Sequence, residues 1–164
     1  GNGQYDDVFG MKMAPKSLKE IEEFVKFTKL PFIIKGVLSE HDTYKALSAG
    51  AKGIVVSHHH GIMNYAIPPL MILPKIAKIV ENKIPIFVDC GVISGMDAFK
   101  ALALGATAVS AGRVIMKPLG ESGAEGVKNQ ILKMTEELAG VMAKTCSPDI
   151  RHIDPSVIWN RGNF

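Results

Sequence analysis

The stretch Pro31-Phe-Ile-Ile-Lys-Gly36 decides the fold, because it reappears as Pro85-Ile-Phe-Val-Asp89, an offset of 54 residues from position 31 to position 85. Ala46-Leu-Ser-Ala-Gly-Ala51 likewise reappears as Ala101-Leu-Ala-Leu-Gly-Ala106. Each repeat holds a strand, a helix, a Gly-Ala turn, a strand and a helix, so two repeats predict four βα units. That is half of a (β/α)8 TIM-type barrel of the α/β class. A flavodoxin-like open sheet is the alternative, but it does not predict a twofold repeat.

Four short apolar runs are the expected strands, and their apolar character is typical of parallel strands that are buried on both faces. They are Pro31–Lys35, Gly53–Ser57, Pro85–Asp89 and Ala108–Ala111. Helices between them are marked by a hydroxyl residue three positions before an acidic residue. These pairs are Ser17 with Glu20, Ser39 with Asp42, and Ser94 with Asp97.

Further signals place the remaining helix ends. Pro68 and Pro69 suit the start of a helix, which Pro74 should kink. Gly50 and Gly105 are expected to follow the last residues of their helices. An amphipathic helix is predicted over residues 121–144, with one apolar stripe. Its members are Val127, Ile131, Met134, Leu138 and Val141.

Composition excludes several classes of protein. The chain has 164 residues, 47% of them hydrophobic, and 19 Lys and Arg residues against 16 Asp and Glu residues leave a net charge of +3. A disordered chain would be less apolar and carry more uncompensated charge. Because the sequence has no run of consecutive basic residues, neither nucleic acid nor a charged membrane surface is an expected partner. No apolar stretch is long enough to span a membrane, and Cys90 and Cys146 form no disulfide framework, so a cytoplasmic protein is expected.

The chain is expected to be one domain with three parts. Residues 1–16 form an irregular lead-in, residues 17–145 form the βα units, and residues 146–164 form a C-terminal tail. Since the chain opens with polar turn-forming residues and no Met, we expect it to begin within a longer protein. A half-barrel leaves open edges, so we expect a missing N-terminal half-barrel or a second chain to cover them, and a homo-oligomer.

Polar and glycine residues close all four predicted strands, although the strands themselves are apolar. Ligands of βα barrels bind at these carboxyl ends, which predicts the site. The strand ends are Lys35-Gly36, residues 57–61 (Ser-His-His-His-Gly), Asp89-Cys90-Gly91 and Gly112-Arg113. Any one of these polar groups could instead mark the point where a strand meets water.

The last two strand ends suit an anion. Gly91 and Gly112 allow close approach of the backbone, Arg113 can hold phosphate oxygens in a bidentate manner, and the helix start at Ser94-Gly95 would offer N–H groups. We therefore predict a phosphate site between these strands. An ordinary turn with a surface arginine is the alternative at Gly112-Arg113.

The histidine run at 58–60 allows different interpretations. Because side chains alternate along a strand, His58 and His60 should point one way and His59 the other. A metal site would pair His58 with His60, but no carboxylate ligand lies nearby, and no metal is expected. His59 could also be purely structural.

Taken together, these strand ends resemble one family, the FMN-dependent α-hydroxy acid oxidases and dehydrogenases, which include glycolate oxidase and lactate oxidase. The likeness is to the second half of their barrel, in the family's order and spacing, from about Phe9 to Ile153. The resemblance implies FMN as cofactor and a small-molecule substrate. It implies that Lys35 stabilises negative charge on the reduced flavin, that His59 is the base, and that Ser57 helps to hold the cofactor. The other implied cofactor-binding residues are Asp89, Gly91, Gly112 and Arg113.

The sequence departs from the family at two arginine positions. Ile62 stands where the family's arginine holds the substrate carboxylate, and Ile93 stands where an arginine lies on the phosphate side. Losing a bidentate carboxylate clamp weakens substrate orientation, so the expected substrate is not a simple 2-hydroxy acid. Two other functions stay open: a non-redox FMN-binding or phosphate-binding barrel enzyme such as an isomerase, and an inactive half-barrel module. We expect this chain alone to be inactive.

Overall fold

The computed structural model of the chain describes residues 5–6, 12–59 and 64–159. His60, Gly61 and Ile62, which the sequence analysis singled out, lie outside the described residues. In chain order the strands are β1 (Tyr5–Asp6), β2 (Lys12–Met13), β3 (Ile33–Val37), β4 (Gly53–Val56), β5 (Ile86–Val88) and β6 (Ala108–Val109). The helices are α1 (Leu18–Phe27), α2 (Glu40–Ser48), α3 (Pro69–Val80), α4 (Gly95–Ala103) and α5 (Arg113–Lys144), followed by a 3-10 turn at Pro155–Val157.

The main sheet has four parallel strands in the order β3-β4-β5-β6. Each strand pairs with the next strand along the chain, and a helix lies between them in sequence, which is the βα arrangement of a TIM-type barrel. The four predicted strands are thereby confirmed. β1 and β2 form a small antiparallel pair. The lead-in over residues 1–16, which was predicted to be irregular, therefore contains two short strands.

Within the described ranges, the helices pack against one face of the sheet. On that face the side chains of Ile54, Val56 and Val88 are fully buried, together with Leu73 and Ile76 of α3. On the opposite face, which corresponds to a barrel interior, Val55 and Phe87 are half-buried. The expectation of strands buried on both faces is therefore wrong, because the apolar residues of β4 and β5 alternate between a covered and an open face.

The predicted helix caps are present. Ser17, Ser39 and Ser94 each accept a hydrogen bond from the backbone N–H three residues later, and Ser17 forms a full capping box with Glu20. Proline at the start of α3 is also confirmed, and Pro74 lies within that helix.

Helix α5 begins earlier than predicted. It starts at Arg113, and Ser122 and Gly123 interrupt it with non-helical backbone angles, so that two helices meet at a kink near the predicted start. Of the predicted apolar stripe, Met134 is buried but Ile131 is 51% exposed.

The two repeats end their first helices in the same way. After α2, Gly50 N–H donates to Leu47 O and Ala51 N–H to Ala46 O. After α4, the bonds run from Gly105 to Leu102 and from Ala106 to Ala101. Each set is a Schellman motif, with glycine in the left-handed conformation at φ +82° and +107°. The sequence repeat is therefore also a repeat of structure. None of the helices in the described part of the chain is long and apolar enough to cross a membrane.

Candidate functional site

The carboxyl ends of β3, β4 and β5 bring three polar side chains together. Lys35 lies on β3, Ser57 directly follows β4 and Asp89 directly follows β5. The Lys35 ammonium donates to Ser57 Oγ at 2.9 Å and forms an ion pair with Asp89 Oδ2. These residues are far apart in the sequence, and they meet because parallel strands end at one edge of the sheet.

Cys90 adds a thiol to this network, and the sequence analysis assigned it no role. Its Sγ donates to Asp89 Oδ1 at 2.9 Å and lies 3.5 Å from Ser57 Oγ. Cys90 has φ +65°, a left-handed conformation that turns the chain sharply after β5. Burial tends to raise the pKa of Asp89, but hydrogen bonds from Cys90, Lys35 and Ser57 and the positive charge of Lys35 outweigh it and hold that pKa below its usual value.

His59 lies at the end of β4 with its side chain at the mouth of the site. Its backbone N–H donates to Ser57 Oγ at 3.1 Å, and its φ is +50°. The hydroxyl of Ser57 therefore anchors both Lys35 and the backbone of His59. The Ser57 side chain is itself 1% exposed, which places it behind these two residues.

A cavity of about 410 Å³ opens over these strand ends. It is lined by Lys35, His59, Asp89, Cys90, Gly91, Val92, Ile93, Ser110, Gly112 and Arg113. Of the predicted site residues, all but Ser57 line this one cavity. Of the described histidines, only His59 is among the lining residues. The described ranges hold no group of three His, Cys, Asp or Glu side chains placed to bind a metal ion.

One end of the cavity is shaped for an anion. A Cβ atom built on Gly91 or on Gly112 would meet no atom within 4 Å, so the backbone there is open to a ligand. Gly112 is the N-cap of α5 and gives it no side-chain cap, and Arg113, the first residue of this helix, lines the same end of the cavity.

The start of α4 was predicted to offer free N–H groups to a phosphate, but three N–H groups at this helix end are bonded within the protein. Glu137 of α5 accepts a hydrogen bond from Gly95 N–H at 2.8 Å, and the Ser94 and Asp97 side chains accept those of Asp97 and Ile93. The N–H groups of Ile93, Gly95 and Asp97 are therefore bonded to carboxylate or hydroxyl oxygens of the protein itself.

Comparison with known proteins identifies the family. Residues 2–160 match the model of the FMN-dependent dehydrogenases. The chain belongs to this family. It is 41% identical over 138 residues to a peroxisomal (S)-2-hydroxyacid oxidase of Arabidopsis thaliana, covering 84% of this chain and 38% of that protein. It is 40% identical to an L-lactate oxidase of Lactobacillus jensenii, covering 87% and 35%.

Comparison with solved structures also points to FMN-dependent oxidases. A mandelate oxidase variant that holds a C4a-hydroxy-FMN adduct superposes with a TM-score of 0.81 at 35% identity, covering 87% of this chain and 44% of that one. The barrel fold, predicted from the sequence repeat, and the cofactor FMN, predicted from the resemblance, are confirmed. The chain spans less than half the length of the relatives it matches.

The lining residues fit the FMN of this family. The open backbone at Gly91 and Gly112, together with the guanidinium of Arg113, suits a phosphate group. The ammonium of Lys35 suits the part of the flavin ring that gains negative charge on reduction. Ile93 lies at the cavity with 62% of its surface exposed and adds no second cation there.

Gly36 and Cys90 belong to the predicted strand ends, but the sequence assigned neither of them a role in the site. Gly36 lies against the imidazole of His59, since a Cβ atom on Gly36 would lie 2.6 Å from His59 Nε2. The signal for Cys90 was its position directly after Asp89, at the end of a predicted strand, where ligands bind. Neither residue type has a side chain that suggests flavin chemistry by itself, so their importance follows from position alone.

Proposed function

We propose that this chain forms the FMN-phosphate and proton-transfer side of a 2-hydroxyacid oxidoreductase. The observation that carries the proposal is the convergence of Lys35, His59, Asp89 and Arg113 on one cavity at the carboxyl ends of the strands. Membership of the FMN-dependent dehydrogenases supports it, as do the relatives that are 2-hydroxyacid, lactate and 4-hydroxymandelate oxidases.

In this proposal the residues that line the cavity have different roles. Arg113, Gly91 and Gly112 would hold the phosphate of FMN, and Lys35 would face the flavin ring. FMN, when bound, supplies the acceptor for the two electrons that leave the substrate. His59 would accept the proton that leaves the substrate at its hydroxyl oxygen or α-carbon, since its exposed imidazole lines the cavity and imidazole is the commonest general base in enzymes.

Asp89 has a supporting role in the same network. Its carboxylate pairs with Lys35 and accepts from Cys90, which keeps it ionised at neutral pH and holds the ammonium of Lys35 at the cavity wall. Ser57 also accepts a hydrogen bond from this ammonium. We propose cofactor-binding roles for Asp89 and Ser57 through this positioning of Lys35.

The proposed substrate is a 2-hydroxy acid derivative other than a simple 2-hydroxy acid. Ile62 and Ile93 occupy positions at which the resembled family has arginine, so two guanidinium groups are replaced by apolar side chains. A substrate whose carboxylate is not held by a bidentate clamp needs other contacts for its orientation.

The proposal also concerns what completes the barrel. The chain spans 38% of the plant oxidase, so we propose that an N-terminal half-barrel or a second chain completes the cavity and that the assembly is a homo-oligomer. The cytoplasmic location stays a prediction.

The experiment uses the complete protein, in which this chain is joined by the rest of its barrel. It is titrated with FMN, followed by flavin fluorescence and visible absorbance, and is then mixed anaerobically with a panel of 2-hydroxy acids and their esters. We expect FMN to bind and its absorbance to bleach with at least one panel member. His59→Asn should slow bleaching by about 10²–10⁴-fold, whereas the control His41→Asn, on the exposed surface of α2, should not. Absence of FMN binding would refute the proposal, and FMN binding without bleaching by any panel member would favour a non-redox enzyme.

A further inference from the structure

Gly36 occupies an irregular point of β3 next to His59. The pairing of β3 with β4 shifts register between Lys35 and Val37, so Gly36 is the extra residue of a bulge. Its φ is +97°, a conformation that glycine adopts readily and other residues do not. At this bulge Gly36 lies beside the imidazole of His59, which follows β4 in the chain.

The space beside Gly36 is filled by one side chain. A Cβ atom on Gly36 would lie 2.6 Å from His59 Nε2, 3.4 Å from Cε1 and 3.6 Å from Cδ2, so its three nearest neighbours all belong to the same imidazole. A carbon atom cannot approach a ring nitrogen to 2.6 Å. Any side chain at this position would therefore displace the ring by about 1 Å to reach ordinary van der Waals contact.

The backbone of His59 is held in place, so the displacement would fall on its side chain. Its N–H is bonded to Ser57 Oγ at 3.1 Å, and its φ of +50° is already in the left-handed region. The Ser57 hydroxyl is buried and also holds Lys35, so the anchor is itself fixed. The imidazole would have to rotate about its side-chain bonds, which changes where its nitrogens point.

We propose that Gly36 is a positioning residue for proton transfer. Because this bulge glycine has no side chain, it leaves the space in which the His59 imidazole lies at the cavity. The inference rests on the proposed role of His59 as the base. A misplacement of about 1 Å at a reacting group costs about 10²-fold in rate, so Gly36→Ala should slow flavin reduction by about that factor.

The test compares Gly36→Ala with Gly50→Ala, both made in the complete protein. Gly50 has a similar φ of +82°, but a Cβ atom there meets only Val25 Cγ1 at 3.8 Å, so this variant carries the same backbone strain without touching the site. We expect both variants to lower the melting temperature. Only Gly36→Ala should shift the NMR signals of the His59 ring in the cofactor-free protein and slow flavin reduction. Equal ring signals and equal rates in the two variants would overturn the inference.

A double variant separates this inference from the proposed function. Once His59→Ala has removed the ring, adding Gly36→Ala should slow reduction no further, and a further loss would overturn the inference. If His59→Ala alone leaves the rate unchanged, the proposed base is wrong, while the ring signals still test the position of the imidazole. Should Gly36→Ala not fold, adding His59→Ala is expected to restore folding, and failure to do so would show that Gly36 serves the backbone alone.

Discussion

Replacing Lys35 with methionine tests the network at the strand ends without any cofactor. The variant keeps an unbranched side chain but removes the hydrogen bond to Ser57 and the ion pair with Asp89. Hydrogen bonds to charged groups contribute about 1.5–3 kcal/mol each when well shielded. Since the Lys35 side chain is 49% exposed and that of Asp89 20%, solvent screening reduces the combined loss to about 1–2 kcal/mol at neutral pH.

The loss should depend on pH in a defined direction. Lys35 helps to hold the pKa of Asp89 below its ordinary value of 3.8, so its contribution to stability is present above that value and is lost as the pH falls through the lowered pKa of the folded state. In Lys35→Met the burial of Asp89 remains while the positive charge is gone, so the pKa of this carboxyl should rise. The stability difference between the two proteins should therefore narrow in acid.

Urea unfolding across a pH series, with NMR titration of the Asp89 carboxyl carbon, measures both effects. Lys83→Met is the matched control, because Lys83 pairs with Glu81 at 2.7 Å but both side chains are more than half exposed. This control should lose no measurable stability. An unchanged Asp89 titration in Lys35→Met, or equal losses in the two variants, would refute the assignment of Lys35 as the partner of Asp89.

Three further outcomes are expected. Arg113→Lys should weaken FMN binding by about tenfold to a hundredfold in a fluorescence titration, since a lysine cannot hold phosphate oxygens in a bidentate manner, and unaltered affinity would place the phosphate elsewhere. Glu137→Ala should destabilise the protein by about 1–2 kcal/mol in urea, because it leaves the Gly95 N–H of α4 without its acceptor; a neutral result would mean that water replaces the carboxylate. Leu73→Ala should cost about 2–5 kcal/mol, since this side chain is fully buried between α3 and the sheet, and a loss below 1 kcal/mol would contradict that packing.

Features that depend on a few neighbouring residues could be predicted from the sequence. The caps at Ser17, Ser39 and Ser94 involve partners three residues away, so the pattern contains both halves of each interaction. The meeting of Lys35 with Asp89 followed from topology, because parallel strands place their ends together regardless of the distance along the chain.

Features that depend on tertiary packing could not be predicted in this way. Glu137 fills the N-terminus of α4 from a position 42 residues further along the chain, and no local pattern marks that contact. The bulge at Gly36 lengthens β3 beyond its predicted end and brings it against His59, which a two-residue period does not reveal. The conformation of Cys90 is likewise set by the turn after β5 rather than by its residue type.

The ion pair of Lys35 with Asp89 has a consequence for the order of folding. Each strand of the main sheet pairs with its successor, so most of the sheet can form by closing one short loop at a time. This ion pair instead joins β3 to β5 across β4 and needs all three strands in place. It should therefore form after the folding transition state, and Lys35→Met should speed unfolding while leaving the refolding rate nearly unchanged. Slower refolding of that variant in stopped-flow measurements would show that the carboxyl ends of the strands assemble early.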